Sequence, residues 1–136
     1  MKKQELTHSE KVLIADKYSL EAFFFSKNEN IISQLYKEVF TTPGIYQYFM
    51  NILSVEDIKT FRKTIKEVNY KVSTHKIDDV MSDSKILNHN DVYALLCGKT
   101  LKMDVLLDDP RKVKVFQDYL VHTIRPTDIM KALCAS

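Results

Sequence analysis

The chain has 136 residues, 45% of them apolar and 28% charged, with 20 Lys and Arg against 18 Asp and Glu. That length suits one domain burying roughly two thirds of its unfolded surface, and the composition excludes a disordered chain. A net charge of +2 excludes a general attraction to nucleic acid or anionic lipid, so any such affinity must come from a local basic face.

Residues 8 to 27 hold no glycine or proline, and Leu13, Ile14, Tyr18, Ala22 and Phe25 recur at helical intervals, with Thr7 or Ser9 as caps. A second helix is expected over 29 to 40, capped by Asn28, with Ile31, Ile32, Leu35, Val39 and Phe40 inward. TTPG then breaks the chain. Thr42 before Pro43 suits an N-cap with proline in the first turn, opening a short apolar helix to residue 53.

Ser54 reads as the next cap, and Val55, Ile58, Phe61, Ile65 and Val68 form the cleanest amphipathic stripe of the sequence. Its other face carries Lys59, Arg62, Lys63 and Lys66, with Glu56 and Asp57 in the first turn, where the helix dipole favours acids. From Asn69 to Asn90 the pattern is irregular, with SDS and NHN turn clusters and one short helix near 74 to 81. Residues 90 to 109 read as one helix broken near Gly98, or as two. Asp109 before Pro110 starts another, lined by Val113, Phe116, Leu120 and Ile124, and a last helix starts at Thr127. The expectation is an all-α fold, a single compact bundle of about seven short helices spanning 1 to 136.

Two glycines and three prolines count against an all-β fold and against glycine-rich phosphate loops. Nothing in MKKQEL resembles a signal peptide, and apolar runs such as AFFF at 22 to 25 fall far short of the roughly 20 residues of a membrane span. Cys97 and Cys134 are read as reduced thiols of a cytoplasmic protein that does not engage a membrane.

Two patterns suggest DNA recognition. In SVEDIKTFRKTIKEVNYKVSTHKIDDVM, residues 54 to 81, Val72 and Ser73 precede Ile77 and Val80 as the buried side of a helix-turn-helix reader would require, with Ser73, Thr74, His75 and Lys76 facing DNA. Against it, Glu67 stands where a small residue lets two helices cross, Lys71 where glycine would turn the chain, and Asp78 and Asp79 would repel phosphate. Residues 93 to 105 match less well, because Asp104 takes the place of a buried aliphatic residue.

Catalytic signals are weaker. Cys97 beside Lys99 has no histidine in sequence reach, since His8, His75, His89 and His122 are dispersed. Asp78-Asp79 and Asp108-Asp109 are adjacent pairs that diverge on a helix, and Asp109 is explained as a cap. No metal-ligand spacing occurs. No catalytic residue, metal or cofactor is therefore expected.

Seven Phe and seven Tyr are concentrated toward the amino-terminal half. Tyr46, Tyr48 and Phe49 on one short helix cannot share a single face, so a surplus aromatic patch is expected. The functional expectation is a non-enzymatic regulator or adaptor. It binds an acidic protein partner or a second copy of itself through Tyr46, Tyr48 and Phe49 with Lys59, Arg62, Lys63 and Lys66. The alternative is a helix-turn-helix-like transcription regulator using residues 59 to 81.

Overall fold

The computed structural model describes residues 6 to 24 and 29 to 134, with the side chains of Glu29, Asn30, Leu133 and Cys134 excepted. The expectations for the first five residues, for Phe25 and the Asn28 cap, and for the Cys134 thiol lie outside the described residues. Eight helices and five strands are present among those described, in the order β1 (Lys11–Ile14), α1 (Lys17–Phe24), α2 (Glu29–Leu35), β2 (Glu38–Thr41), α3 (Pro43–Ile52), α4 (Val55–Thr64), β3 (Lys66–Glu67), α5 (Thr74–Asp83), α6 (His89–Leu101), β4 (Asp104–Leu106), α7 (Pro110–Asp118), β5 (Thr123–Ile124) and α8 (Pro126–Cys134).

The strands form one sheet ordered β3-β2-β1-β4-β5, and every neighbouring pair is parallel. The fold is therefore α/β, and the all-α helical bundle expected from the sequence is wrong. The cause lies in how a parallel strand reads. With helices on both faces, β1 (KVLI) and β4 (DVL) are almost continuously buried, and a short unbroken apolar run cannot be told from a buried helical segment by periodicity. The expected helix over 8 to 27 is instead β1 followed by α1, that over 29 to 40 is α2 followed by β2, and the stripe ending at Ile124 is α7 followed by β5.

Alternation along the strands divides the interior in two. Val12, Ile14, Leu106 and Ile124 face a cluster with Leu20, Phe23, Phe49, Phe61 and Ile129, which places α1 to α4 and α8 on one face. Leu13, Ala15, Val105 and Leu107 face a second cluster with Val80, Leu95 and Phe116, which places α5, α6 and α7 on the other. Gly98 in α6 allows this second layer to approach closely, since a Cβ there would stand 2.7 Å from Val105 Cγ2. The local start signals hold where they were clearest: Thr42, Ser54 and Asp109 cap α3, α4 and α7 through their side chains.

The same layering separates the two halves of the expected DNA reader. Phe61 of α4 lies in the first cluster and Val80 of α5 in the second, with edge strand β3 between them in sequence. They sit on opposite faces of the sheet and form no helix-turn-helix pair.

Candidate functional site at the carboxyl edge of the sheet

The chain runs outward from β1 through β2 to β3, then crosses back to place β4 on the other side of β1. In open parallel sheets the reversal point leaves a crevice outside the carboxyl ends of the two central strands, and ligands bind there. Such a crevice is present here, with a volume of about 470 Å³. Ala15, Asp16 and Lys17 line it after β1, Gly44 and Ile45 at the start of α3, Asn88 to Asp91 at the start of α6, and Lys112 from α7.

Asp16 is fixed by two backbone donors. Its Oδ1 accepts from the Ser19 N–H at 2.7 Å and its Oδ2 from the Asp108 N–H at 2.9 Å, tying the end of β1 to the end of β4. Asn90 joins three elements: its Nδ2 donates to the Ala15 carbonyl at 2.9 Å, and its Oδ1 accepts from the hydroxyl of Thr42, the N-cap of α3. Asp91 completes a capping box with Asn88 and is almost wholly buried. Its carboxylate also receives the Lys112 ammonium at 2.9 Å, a half-buried cation joining a buried anion.

Asp108, whose N–H is held by Asp16, meets the Arg125 guanidinium at 3.4 Å, and Arg125 Nε donates to the Asp108 carbonyl at 2.9 Å. Asp109 caps α7, and the hydrogen bond from the Arg111 N–H holds its carboxyl below the usual carboxylate range. Among the described residues, no three His, Cys, Asp or Glu side chains are grouped closely enough to enclose a metal ion unaided.

The residues singled out from the sequence fall elsewhere. Phe49 is fully buried and Tyr46 packs against the same core, while Tyr48 is 38% exposed and stacks under the Lys17 ammonium, 3.8 Å from its ring centre. Ile52 and Val55, 55% and 72% exposed, extend this apolar surface toward Lys59, Arg62 and Lys63 on the outer side of α4. Lys66 pairs with Glu38 at 3.5 Å. Ser73 is occupied as the α5 cap, Thr74, His75 and Lys76 are exposed, and His75 faces Asp79 at 3.5 Å. Cys97 is buried, and burial pushes its thiol up to about 11, against a nucleophilic role.

Sequence reasoning missed the crevice. NHN reads as a turn cluster, although Asn88 and Asp91 stand at capping-box spacing, and Asp16 falls inside a run that reads as helix. No protein-family model matches the chain, and no curated protein matches its sequence. Among the described residues no helix is long and apolar enough to cross a membrane.

Proposed function

We propose that the crevice binds a phosphate-bearing ligand, a nucleotide or a nucleic-acid strand, and hydrolyses its phosphate ester with the help of a divalent cation. What supports this most is that Asp16 and Asp91, far apart in sequence, both line the crevice where the strand order reverses, together with Lys17 and Lys112. Its volume lies within the range of about 300–1,000 Å³ usual for small-ligand sites. Magnesium is commonly held by one or two carboxylates together with the substrate's own phosphate oxygens, so a three-ligand protein cage is not required.

In this reading Asp16 and Asp91 would hold the cation, which would supply Lewis-acid polarisation of the phosphoryl group and a water of lowered pKa. With a cation on Asp91, Lys112 would be free to leave that carboxylate for a phosphate oxygen, and Lys17 would hold a second oxygen. The water oxygen bonds to phosphorus as the ester P–O bond breaks; the proton shed by the water passes to bulk solvent, and the leaving oxygen takes a proton, for which His89 is the suited lining side chain. The test is incubation of end-labelled single-stranded RNA and DNA with the protein in Mg²⁺ or Mn²⁺. Cleavage lost with EDTA, Asp16→Asn and Asp91→Asn is expected. Binding without cleavage in every metal would reduce the site to a receptor.

A second reading keeps a non-enzymatic cytoplasmic regulator that docks an acidic partner or another copy of itself. It is favoured by the exposed run of Tyr48, Ile52 and Val55 beside Lys59, Arg62 and Lys63, three cations without an ion pair among the described residues. Gel filtration at two concentrations tests self-association: a retention volume fixed at the monomer position removes that version.

A further inference from the structure

At the opposite, amino end of the sheet lies a second cavity of about 240 Å³, and it gathers basic side chains from three separate stretches of chain. His8 comes from the segment before β1, Lys99 and Lys102 from the end of α6, and His122 from the residue before β5. The two imidazoles stack with ring centres 3.5 Å apart and planes 14° from parallel. His122 Nε2 lies 2.9 Å from the Leu6 carbonyl, an acceptor only, so this nitrogen carries the hydrogen.

Charge in this cavity is not balanced. Neither lysine has an ion pair among the described residues. The acid of the lining, Asp104, is buried and committed: its Oδ2 accepts from the His8 N–H at 2.9 Å and from the Tyr36 hydroxyl at 2.8 Å. It offsets at most one of the two ammonium charges. The dipole at the end of α6 favours cations nearby, but it does not account for the cavity or for the stacked histidines.

Backbone conformation marks the same place. Lys102 at φ 55° and Leu120 at φ 65° are the non-glycine residues of positive φ among those described, and both line this cavity. Both residues close a helix: Lys102 is the left-handed C-cap of α6, its N–H bonded to the Gly98 carbonyl, and Leu120 follows the C-cap of α7, with its N–H on the Gln117 carbonyl and the Val121 N–H on the Phe116 carbonyl. Leu120 is also 89% exposed.

From these observations we infer that the amino-end cavity is a second binding site, distinct from the crevice, for a small phosphate-bearing anion held by Lys99 and Lys102 over the stacked His8 and His122. The volume suits free phosphate or a small phosphomonoester and is too small for a nucleotide. Occupancy fastens the segment from Leu6 to Ser9 onto β4 and the approach to β5.

The test is NMR titration of the whole chain with inorganic phosphate and with glycerol 3-phosphate, against sodium chloride at equal ionic strength. Saturable shifts are expected at 6 to 9, 99 to 104 and 120 to 122. The stronger ligand distinguishes free phosphate from a monoester. Lys99→Gln and Lys102→Gln each weaken binding by about tenfold, as expected for losing one charge-assisted hydrogen bond, while Lys112→Gln in the crevice leaves it unchanged. Both lysines are exposed, and a melting curve confirms that the variants fold. Shifts matched by sodium chloride, shifts confined to the crevice, or full affinity in the doubly substituted chain overturn the inference.

Discussion

The Lys112 ammonium lies 2.9 Å from the Asp91 carboxylate, a side chain only 3% exposed that also caps α6. A buried carboxylate deprived of its cation remains charged in a poor solvent, so removing one partner costs more than the pair contributes net. Lys112→Met is expected to destabilise the fold by about 2 kcal/mol, below the full cost of an isolated buried charge because the Asn88 N–H remains. Adding Asp91→Asn should recover part of that loss. Urea denaturation of the single and double variants measures the coupling, and additive effects would mean the two charges are independent.

Gly98 is required by close packing, since a Cβ would stand 2.7 Å from Val105 Cγ2 and 3.2 Å from Val121 Cγ1. Replacing glycine by alanine inside a helix gains about 1 kcal/mol of propensity. Crowding two branched side chains costs about 1–3 kcal/mol, so Gly98→Ala should lose stability on balance. A raised melting temperature would show that the layers yield at this contact.

Leu120 presents the opposite case, an exposed side chain on left-handed backbone. Leu120→Gly is expected to stabilise the folded state by about 1 kcal/mol, because the penalty removed exceeds the flexibility gained by the unfolded chain. Thermal melting reads this directly, and no gain would mean that the leucine makes a contact worth its strain.

Stability should fall in alkaline solution. Burial pushes the Cys97 thiol from 9.0 up to about 11, and burial beside Cys97 pushes the Tyr93 phenol up to about 12. Desolvation, with the charge of Asp104 alongside, drives Tyr36 upward as well. In each case the folded protein retains a proton that the unfolded chain releases, so the stabilisation is complete below the unfolded value and disappears as pH rises through the folded one. Denaturation midpoints should therefore decline from about pH 9 upward. Cys97→Ala should flatten the decline between 9 and 11, and an unchanged slope would assign it to the tyrosines alone.

Local chemistry was legible in the sequence where one or two residues decide an outcome. Thr42 with Pro43, Ser54 and Asp109 with Pro110 mark helix starts that the structure retains. The sheet was not legible, because VLIA and DVLL are buried on both faces and carry no alternation. The crevice was hidden for a related reason. Ligand spacing is read along the chain, whereas Asp16 and Asp91 come to line one crevice only once the chain is folded. Of the aromatic residues on α3, Phe49 lies inward and Tyr48 is exposed.

Paramagnetic relaxation by Mn²⁺, recorded with a short oligonucleotide bound, tests the central claim most directly. Amide signals of Ala15 to Lys17, Gly44, Ile45 and Asn88 to Asp91 should broaden first, and Asp91→Asn should abolish the effect, while signals near His8 and His122 stay sharp. Uniform broadening, or broadening centred away from the carboxyl edge of β1 and β4, would contradict the assignment of the crevice as the functional site.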